Sequence, residues 1–236
     1  GERGLEPGYL VAFDAEVRAV AGMDHPSIVA VFDHGQISED AQRASGGQLR
    51  SGSPYLAMEF ASLGSLEGLQ GTLQWDELEP VLFEILAGLA HSHARGLFHL
   101  DIKPANVLLS STSDMRPGVK LTDFGIAYAA SDESSMDIDG GSAGTPPYMA
   151  PEQFSGSVRD FGPWTDLYAF ACMLWEMTCG APPYSGESFV ELAYKHMRTD
   201  PGGFDPVVPV PSGLEAWLRR SLTTDCRGRY GCVADA

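Results

Sequence analysis

Hydrophobic and polar positions alternate along this chain with two periods, and the period changes mark the elements. The first helical run is 13–23, where Phe13, Val17, Val20 and Met23 share one face. Glu16 lies on that same face. A carboxylate among apolar neighbours is costly unless paired, so Glu16 is either solvated at the edge of the stripe or matched by a cation from another element. Ile28 to Phe32 and Tyr55 to Phe60 read as strands, antiparallel to each other. The polar stretch between them, Gln36 to Ser53, is rich in Gly and Ser and reads as a loop or insertion. Ser62 to Gly71 is a short Leu-bearing segment.

A long helix follows. Val81, Leu82, Ile85, Leu86, Leu89, Ala90 and His93 hold one face, Pro80 marks its first turn or kinks an extra one, and Gly96 stops it. His91 and His93 are two apart, do not share a face, and read as ordinary helix-end histidines rather than a metal pair. Then come short strands, Val107–Leu109 and Val119–Leu121, and a polar Ser/Asp/Gly-rich stretch, 130–144, that reads as a surface loop. Trp164 to Cys179 is apolar nearly all round, the mark of a buried central helix, ended by Gly180. Ser188 to Arg198 is amphipathic, Pro201 to Pro211 is a connector, and Gly213 to Leu222 is the last helix. The plan is a small strand-and-helix piece over 1–60 and a larger, mostly helical piece over 61–236, with one core each.

The 236 residues are 44% hydrophobic, enough for a sizeable core, so global disorder is excluded. Lys and Arg number 15 against 32 Asp and Glu, a net charge of −17. That sign argues against nucleic acid or an anionic membrane as the main partner and suits a basic peptide or a metal–phosphate ligand. Four cysteines with no C-x-x-C pair do not make a disulfide framework and fit a reducing, cytoplasmic setting. No apolar run is long enough to cross a bilayer. The chain starts at Gly1 in mid-pattern, as a piece of a longer polypeptide would.

Chemistry concentrates in His99-Leu-Asp-Ile-Lys-Pro-Ala-Asn106, a loop between the long helix and a strand. Asp101 can accept a proton while Lys103 offsets charge on a phosphoryl group, and Asn106 can offer a neutral oxygen to a metal. Seventeen residues after Asn106, Asp123-Phe-Gly125 follows a short strand, a good place for a hard-cation ligand at a backbone bend. Ala150-Pro-Glu152 follows, preceded by Gly144-Thr-Pro-Pro-Tyr148.

The order and spacing of these three segments resemble the catalytic loop, D-F-G and A-P-E of protein kinases. Lys103 and the Gly144-Thr145 step are the Ser/Thr-type signatures, and Leu121-Thr-Asp-Phe-Gly-Ile-Ala127 and Tyr148-Met-Ala-Pro-Glu-Gln153 strengthen the likeness. The chain is thus similar, from about Phe13 to Tyr230, to bacterial members of the eukaryotic-type Ser/Thr protein kinases. The resemblance implies an α+β, bilobal protein-kinase-like fold with a partial N-lobe (1–60) and a mainly helical C-lobe (61–236). It implies transfer of the ATP γ-phosphoryl group to Ser or Thr of protein substrates. Asp101 would be the base for the substrate hydroxyl, Lys103 would contact the γ-phosphate, and Asn106 and Asp123 would hold Mg2+. Glu16 would pair the ATP-contacting Lys of the third strand, Met58 would be the gatekeeper, and Glu59, Phe60 and Ala61 would form the hinge that meets adenine. Thr145 would line the substrate site, Asp166 would brace the catalytic loop, and Glu152 and Arg229 would form a buried ion pair.

Three departures stand out. No Gly-rich phosphate loop is present and no Lys precedes Lys103, so the strand Lys is expected a few residues before Gly1 and the isolated chain is expected to bind ATP poorly and be nearly inactive. Leu100 replaces the Arg of H-R-D, so activation by loop phosphorylation would lack its main cationic receiver, although Ser131, Ser134 and Ser135 lie in an acidic loop open to modification. Ala171 replaces a helix Gly, a tolerable exchange. The rival readings are a pseudokinase scaffold and a small-molecule phosphotransferase of the aminoglycoside-kinase type. The second shares H-x-D-x-x-x-x-N, but Lys103, Phe124-Gly125 and Ala150-Pro-Glu152 count against it.

Overall fold

The computed structural model describes residues 17, 18, 20–124, 145–156 and 158–236. Phe13, Glu16, Gly125 and the 130–144 loop lie outside the described residues.

Residues 17, 18, 20 and 21 are helical, and Val17, Val20 and Met23 are buried, as their shared face predicts. The first strand, β1, runs Val31–Gln36 rather than from Ile28. Ile28 instead bridges Leu121, with Val29 N–H donating to Leu121 O at 2.9 Å and Leu121 N–H to Ser27 O at 2.9 Å. A bulge between Val31 and Asp33 then turns Phe32 outward, where it is exposed. β2, Pro54–Met58, pairs antiparallel with β1, as expected. The intervening stretch is not all loop. Ser38 Oγ accepts from Ala41 N–H and caps a short helix, α1 (Glu39–Ala44), with Glu39 and Asp40 in its first turn.

The long helix, α2, is Trp75–His93 and begins ahead of Pro80, which lies inside it. Its start is set by Glu77, whose carboxylate accepts from the Gln74 N–H at 2.9 Å. Leu78, Leu82, Ile85, Gly88, Leu89 and Ser92 are its buried stripe, while Ala90 is exposed. Gly88 is required by close approach: a Cβ there would meet Leu121 Cδ1 at 3.0 Å and Ser27 O at 3.1 Å. Strands β3 (Val107–Ser110) and β4 (Gly118–Leu121) form a second antiparallel pair packed on α2.

The C-terminal part is helical: α3 (Pro151–Phe154), α4 (Pro163–Cys179), α5 (Phe189–Arg198) and α6 (Leu214–Ser221). α4 is buried on all sides and ends at Gly180, whose φ of 78° is the left-handed stop glycine takes without strain. Ser188 Oγ caps α5 through Glu191 N–H. Among the described residues a cluster of buried apolar side chains runs from Val20, Met23 and Ile28 through α2 and β4 to α4 and α6. This cluster crosses from the first expected piece into the second, where a separate core for each was expected, and Ile28 bridges Leu121 there. Two small antiparallel sheets with segregated helices make an α+β fold, consistent with a partial bilobal kinase.

Candidate active site

The loop 99–106 is held at both ends, by α2 before it and β3 after it. Its middle is held by Asp166, fully buried in the first turn of α4. Asp166 Oδ2 accepts from His99 N–H at 2.8 Å, and Oδ1 accepts from Leu100 N–H at 2.7 Å. His93 Nε2 lies 2.7 Å from Oδ2. His93 is therefore no ordinary helix-end histidine; the last turn of α2 aims it at the α4 carboxylate. His91 packs its ring against that of His25, with centroids 4.8 Å apart.

Leu100 has φ 62°, an unfavourable conformation for a branched residue that persists only where the surroundings impose it. Asp166 holds its N–H, and Gln153 Nε2 donates to its carbonyl at 2.8 Å while Gln153 Oε1 accepts from Ala150 N–H. The segment after Ala150-Pro-Glu152 thus fixes the backbone one residue before Asp101. His99 is buried with its ring 4.4 Å from that of Phe124, and this burial lowers its pKa.

Asp101 is the centre of a compact network. Lys103 Nζ sits 2.7 Å from Asp101 Oδ2 and 2.6 Å from Thr145 Oγ1. The Thr145 hydroxyl donates to Asp101 Oδ1 at 3.0 Å. Asn106 Nδ2 donates to Asp101 O at 2.9 Å and to Asp101 Oδ2 at 3.0 Å. The amide nitrogen therefore faces Asp101 and the amide oxygen faces away. Asn106 O accepts from Thr122 N–H at 3.1 Å, which ties the loop to the end of β4. Asp123 follows with φ 58° and is exposed. The Thr122 hydroxyl lies 3.4 Å from Asp123 Oδ1 and 3.7 Å from Met58 Sδ.

The structure thus brings Asp101, Lys103, Asn106 and Thr145 into direct contact and links Asp123 to Met58 through Thr122. Glu59 is different in kind: its side chain is buried and points to structure. Glu59 Oε1 accepts from Ala30 N–H at 2.7 Å, and the carboxylate pairs with Arg116. Burial pushes its pKa up, but the Arg116 guanidinium and the Ala30 N–H outweigh that and hold it below the ordinary value. Phe60 is exposed and Ala61 half-buried. Arg229 forms a bidentate pair with Glu152 at 2.8 and 3.0 Å, joined by the Thr165 hydroxyl on Glu152 Oε1 and by the Thr223 and Thr224 carbonyls on Arg229. This pair sits in the core of the helical part and takes no direct place in the site.

Sequence reasoning missed His93, Gln153 and Arg116 as supports of the site. His93 could have been found, since it shares the buried stripe of α2; Gln153 and Arg116 lie in segments with no periodic pattern to mark them.

A family model described as the protein kinase domain matches residues 10–226. The serine/threonine-protein kinase PknB of Mycobacterium leprae (strain TN) is 35% identical over 239 residues, covering 98% of this chain and 35% of that protein. The probable serine/threonine-protein kinase PknB of Bifidobacterium longum (strain NCC 2705) is 32% identical over 232 residues, covering 96% of this chain and 32% of that protein. PknB of Mycolicibacterium smegmatis is 33% identical over 240 residues, covering 98% of this chain and 35% of that protein. The chain spans about a third of the length of these curated relatives. The loop network around Asp101 and a family match over most of the sequence converge on one conclusion: the chain belongs to the protein kinase family.

Proposed function

We propose that this chain is the catalytic part of a Ser/Thr protein kinase, which transfers the γ-phosphoryl group of ATP to Ser or Thr hydroxyls of protein substrates. One observation carries the reading: Asp101 Oδ1 already accepts a hydroxyl hydrogen bond while Lys103 holds Oδ2 and the same hydroxyl oxygen. A substrate hydroxyl at Asp101 would find a proton acceptor and an adjacent ammonium to offset charge on the phosphoryl oxygens. Thr145 would give up that position or share it, which makes it a substrate-site residue. Catalysis here is positioning and charge neutralisation, as phosphoryl transfer requires.

The donor set suits Mg2+, which takes one or two carboxylates and completes its shell with phosphate oxygens and water. The exposed Asp123 carboxylate and the outward-facing Asn106 amide oxygen would hold it. Among the described residues there is no cluster of three His, Cys, Asp or Glu fit for a metal, and a site completed by phosphates needs none. Bound Mg2+ would supply neutralisation of the β- and γ-phosphate charge. In the same reading residues 1–60 are the small lobe, 61–236 the large one, and the 59–61 segment is the hinge that meets adenine, with Met58 beside it. Among the described residues no helix is long and apolar enough to cross a membrane. The four free cysteines, ATP as the phosphoryl donor and protein substrates support a cytoplasmic setting.

The test uses the full-length protein with a basic protein substrate, an aminoglycoside and labelled ATP. Asp101→Asn and Asp123→Asn are each expected to abolish phosphotransfer to protein without changing the melting temperature. Retained turnover in either variant, or transfer to the aminoglycoside alone, refutes the assignment.

A further inference from the structure

The apolar side chains in and beside the segment 59–62 pack little. Phe60 is 79% exposed and Met58 36%, so apolar burial does not decide where this backbone lies. Polar bonds do: Leu63 N–H donates to Leu109 O at 3.0 Å just beyond the segment, and two side chains of the turn between β3 and β4 hold its two ends. Asp114 Oδ2 accepts from Ser62 N–H at 3.0 Å and from the Ser62 hydroxyl at 2.8 Å, while Ser111 N–H at 2.7 Å holds the carboxylate to its own turn. Arg116 reaches the other end. Its Nε lies 3.2 Å from Glu59 Oε2, and its Nη2 pairs with Glu59 Oε1 and lies 2.8 Å from Ile28 O. Its Nη1 lies 3.3 Å from His25 O and 3.4 Å from Asp24 Oδ1. The Glu59 side chain is 2% exposed, and its backbone N–H donates to Ala30 O at 2.9 Å. Lys120, fully buried in β4, donates to Pro26 O at 2.6 Å and Pro117 O at 3.1 Å, which fixes the same turn against the 25–30 segment.

We infer that the β3–β4 turn is a clamp on the hinge, with Arg116 and Asp114 as positioning residues that set the 59–62 backbone for adenine. The inference rests on the hinge reading proposed above. Neither residue reaches the network around Asp101, so the clamp acts on nucleotide binding and leaves the phosphoryl-transfer groups alone. Arg116 is suited to the task because its planar fork grips the Glu59 carboxylate at two points, through Nε and Nη2, while Nη1 and Nη2 reach the His25 and Ile28 carbonyls.

The test measures binding of ADP and of inorganic tripolyphosphate to the full-length protein by calorimetry, for Arg116→Met, Arg116→Lys, Asp114→Ala and the double variant Glu59→Gln/Arg116→Met. Melting temperatures are recorded alongside. The ADP dissociation constant is expected to rise about tenfold in Arg116→Met and Asp114→Ala, within what misplacing a binding group costs. Tripolyphosphate affinity, which does not use the hinge, is expected to stay unchanged, and Arg116→Lys is expected to recover part of the loss. Arg116→Met leaves a buried carboxylate unpaired; if it does not fold, Asp114→Ala and the double variant decide. Wild-type ADP affinity in Asp114→Ala and in a folded Arg116 variant overturns the inference, as does a parallel loss of ADP and tripolyphosphate. Ala61→Pro, which removes a hinge N–H, separates the two readings. If it leaves ADP binding intact, the hinge reading falls and the clamp with it. If it weakens ADP binding while the turn variants do not, only the clamp falls.

Discussion

Replacing Asp166 by Ala would test how the 99–106 loop is held. The carboxylate is fully buried and accepts from two backbone donors, His99 N–H at 2.8 Å and Leu100 N–H at 2.7 Å, and it lies 2.7 Å from His93 Nε2. Removal orphans both N–H groups in a site with little solvent. A buried unsatisfied donor costs about 1–3 kcal/mol, so the pair costs about 2–6 kcal/mol. That is a large share of the roughly 5–15 kcal/mol that holds a domain together. The loss is not only thermodynamic. Leu100 keeps its φ of 62° because both its N–H and its carbonyl are held; with the N–H released, about 1–3 kcal/mol of backbone strain can relax. Relaxation there moves Asp101, the next residue. A displacement of about 1 Å costs on the order of a hundredfold in rate. The assays are urea unfolding and kcat on a peptide substrate, with Asp166→Asn as the milder variant that keeps one acceptor. Stability within about 1 kcal/mol of wild type, less than one orphaned donor costs, together with unchanged kcat would refute the argument.

Other expectations follow from the same structure. Arg229→Met should cost about 3–5 kcal/mol in urea unfolding because it leaves Glu152 charged and buried, whereas Glu152→Gln/Arg229→Met should cost less than Arg229→Met alone. His196 is buried against Tyr168, Phe154 and Tyr184, and burial pushes its pKa down from 6.5 to about 4. The folded state therefore binds fewer protons than the unfolded chain, so this contribution is whole above pH 6.5 and is lost as pH falls towards 4, by about 3 kcal/mol in all. His99, also lowered by burial, adds to the same slope. Urea midpoints at pH 7.5 and 5 should show the loss, and His196→Gln should flatten part of it; an unchanged slope in that variant would count against the assignment. Because Leu100 stands where an arginine would receive a loop phosphate, and Asp166 and Gln153 already fix its backbone, phosphatase-treated full-length protein should keep its activity. Inactivity restored by loop phosphorylation would reverse that view.

The hydrophobic pattern located α2, α4, α5, α6, β2, β3 and β4, because each buries one face or stripe and burial writes a period into the sequence; the β3–β4 pairing and the extent of β1 came from the structure. The resemblance to protein kinases, carried by the order and spacing of three motifs, placed Asp101, Lys103, Asn106, Asp123 and Thr145 in one candidate site. Tertiary structure decided the rest. Ile28 left its predicted strand as Leu121 took the backbone groups of Ser27 and Val29 on either side of it, and Ile28 and Leu121 share one apolar cluster. Ser38 turned part of a predicted loop into a helix through a single capping bond. His93 and Gln153 became supports of the 99–106 loop, and Arg116 and Asp114 supports of the 59–62 segment, only when the fold carried them across tens of residues to their partners. Apart from His93, which lies on the apolar face of α2, these residues sit in segments that follow no period. A hydrogen bond between distant segments leaves no repeating trace in the chain, whereas a buried face repeats itself with every turn.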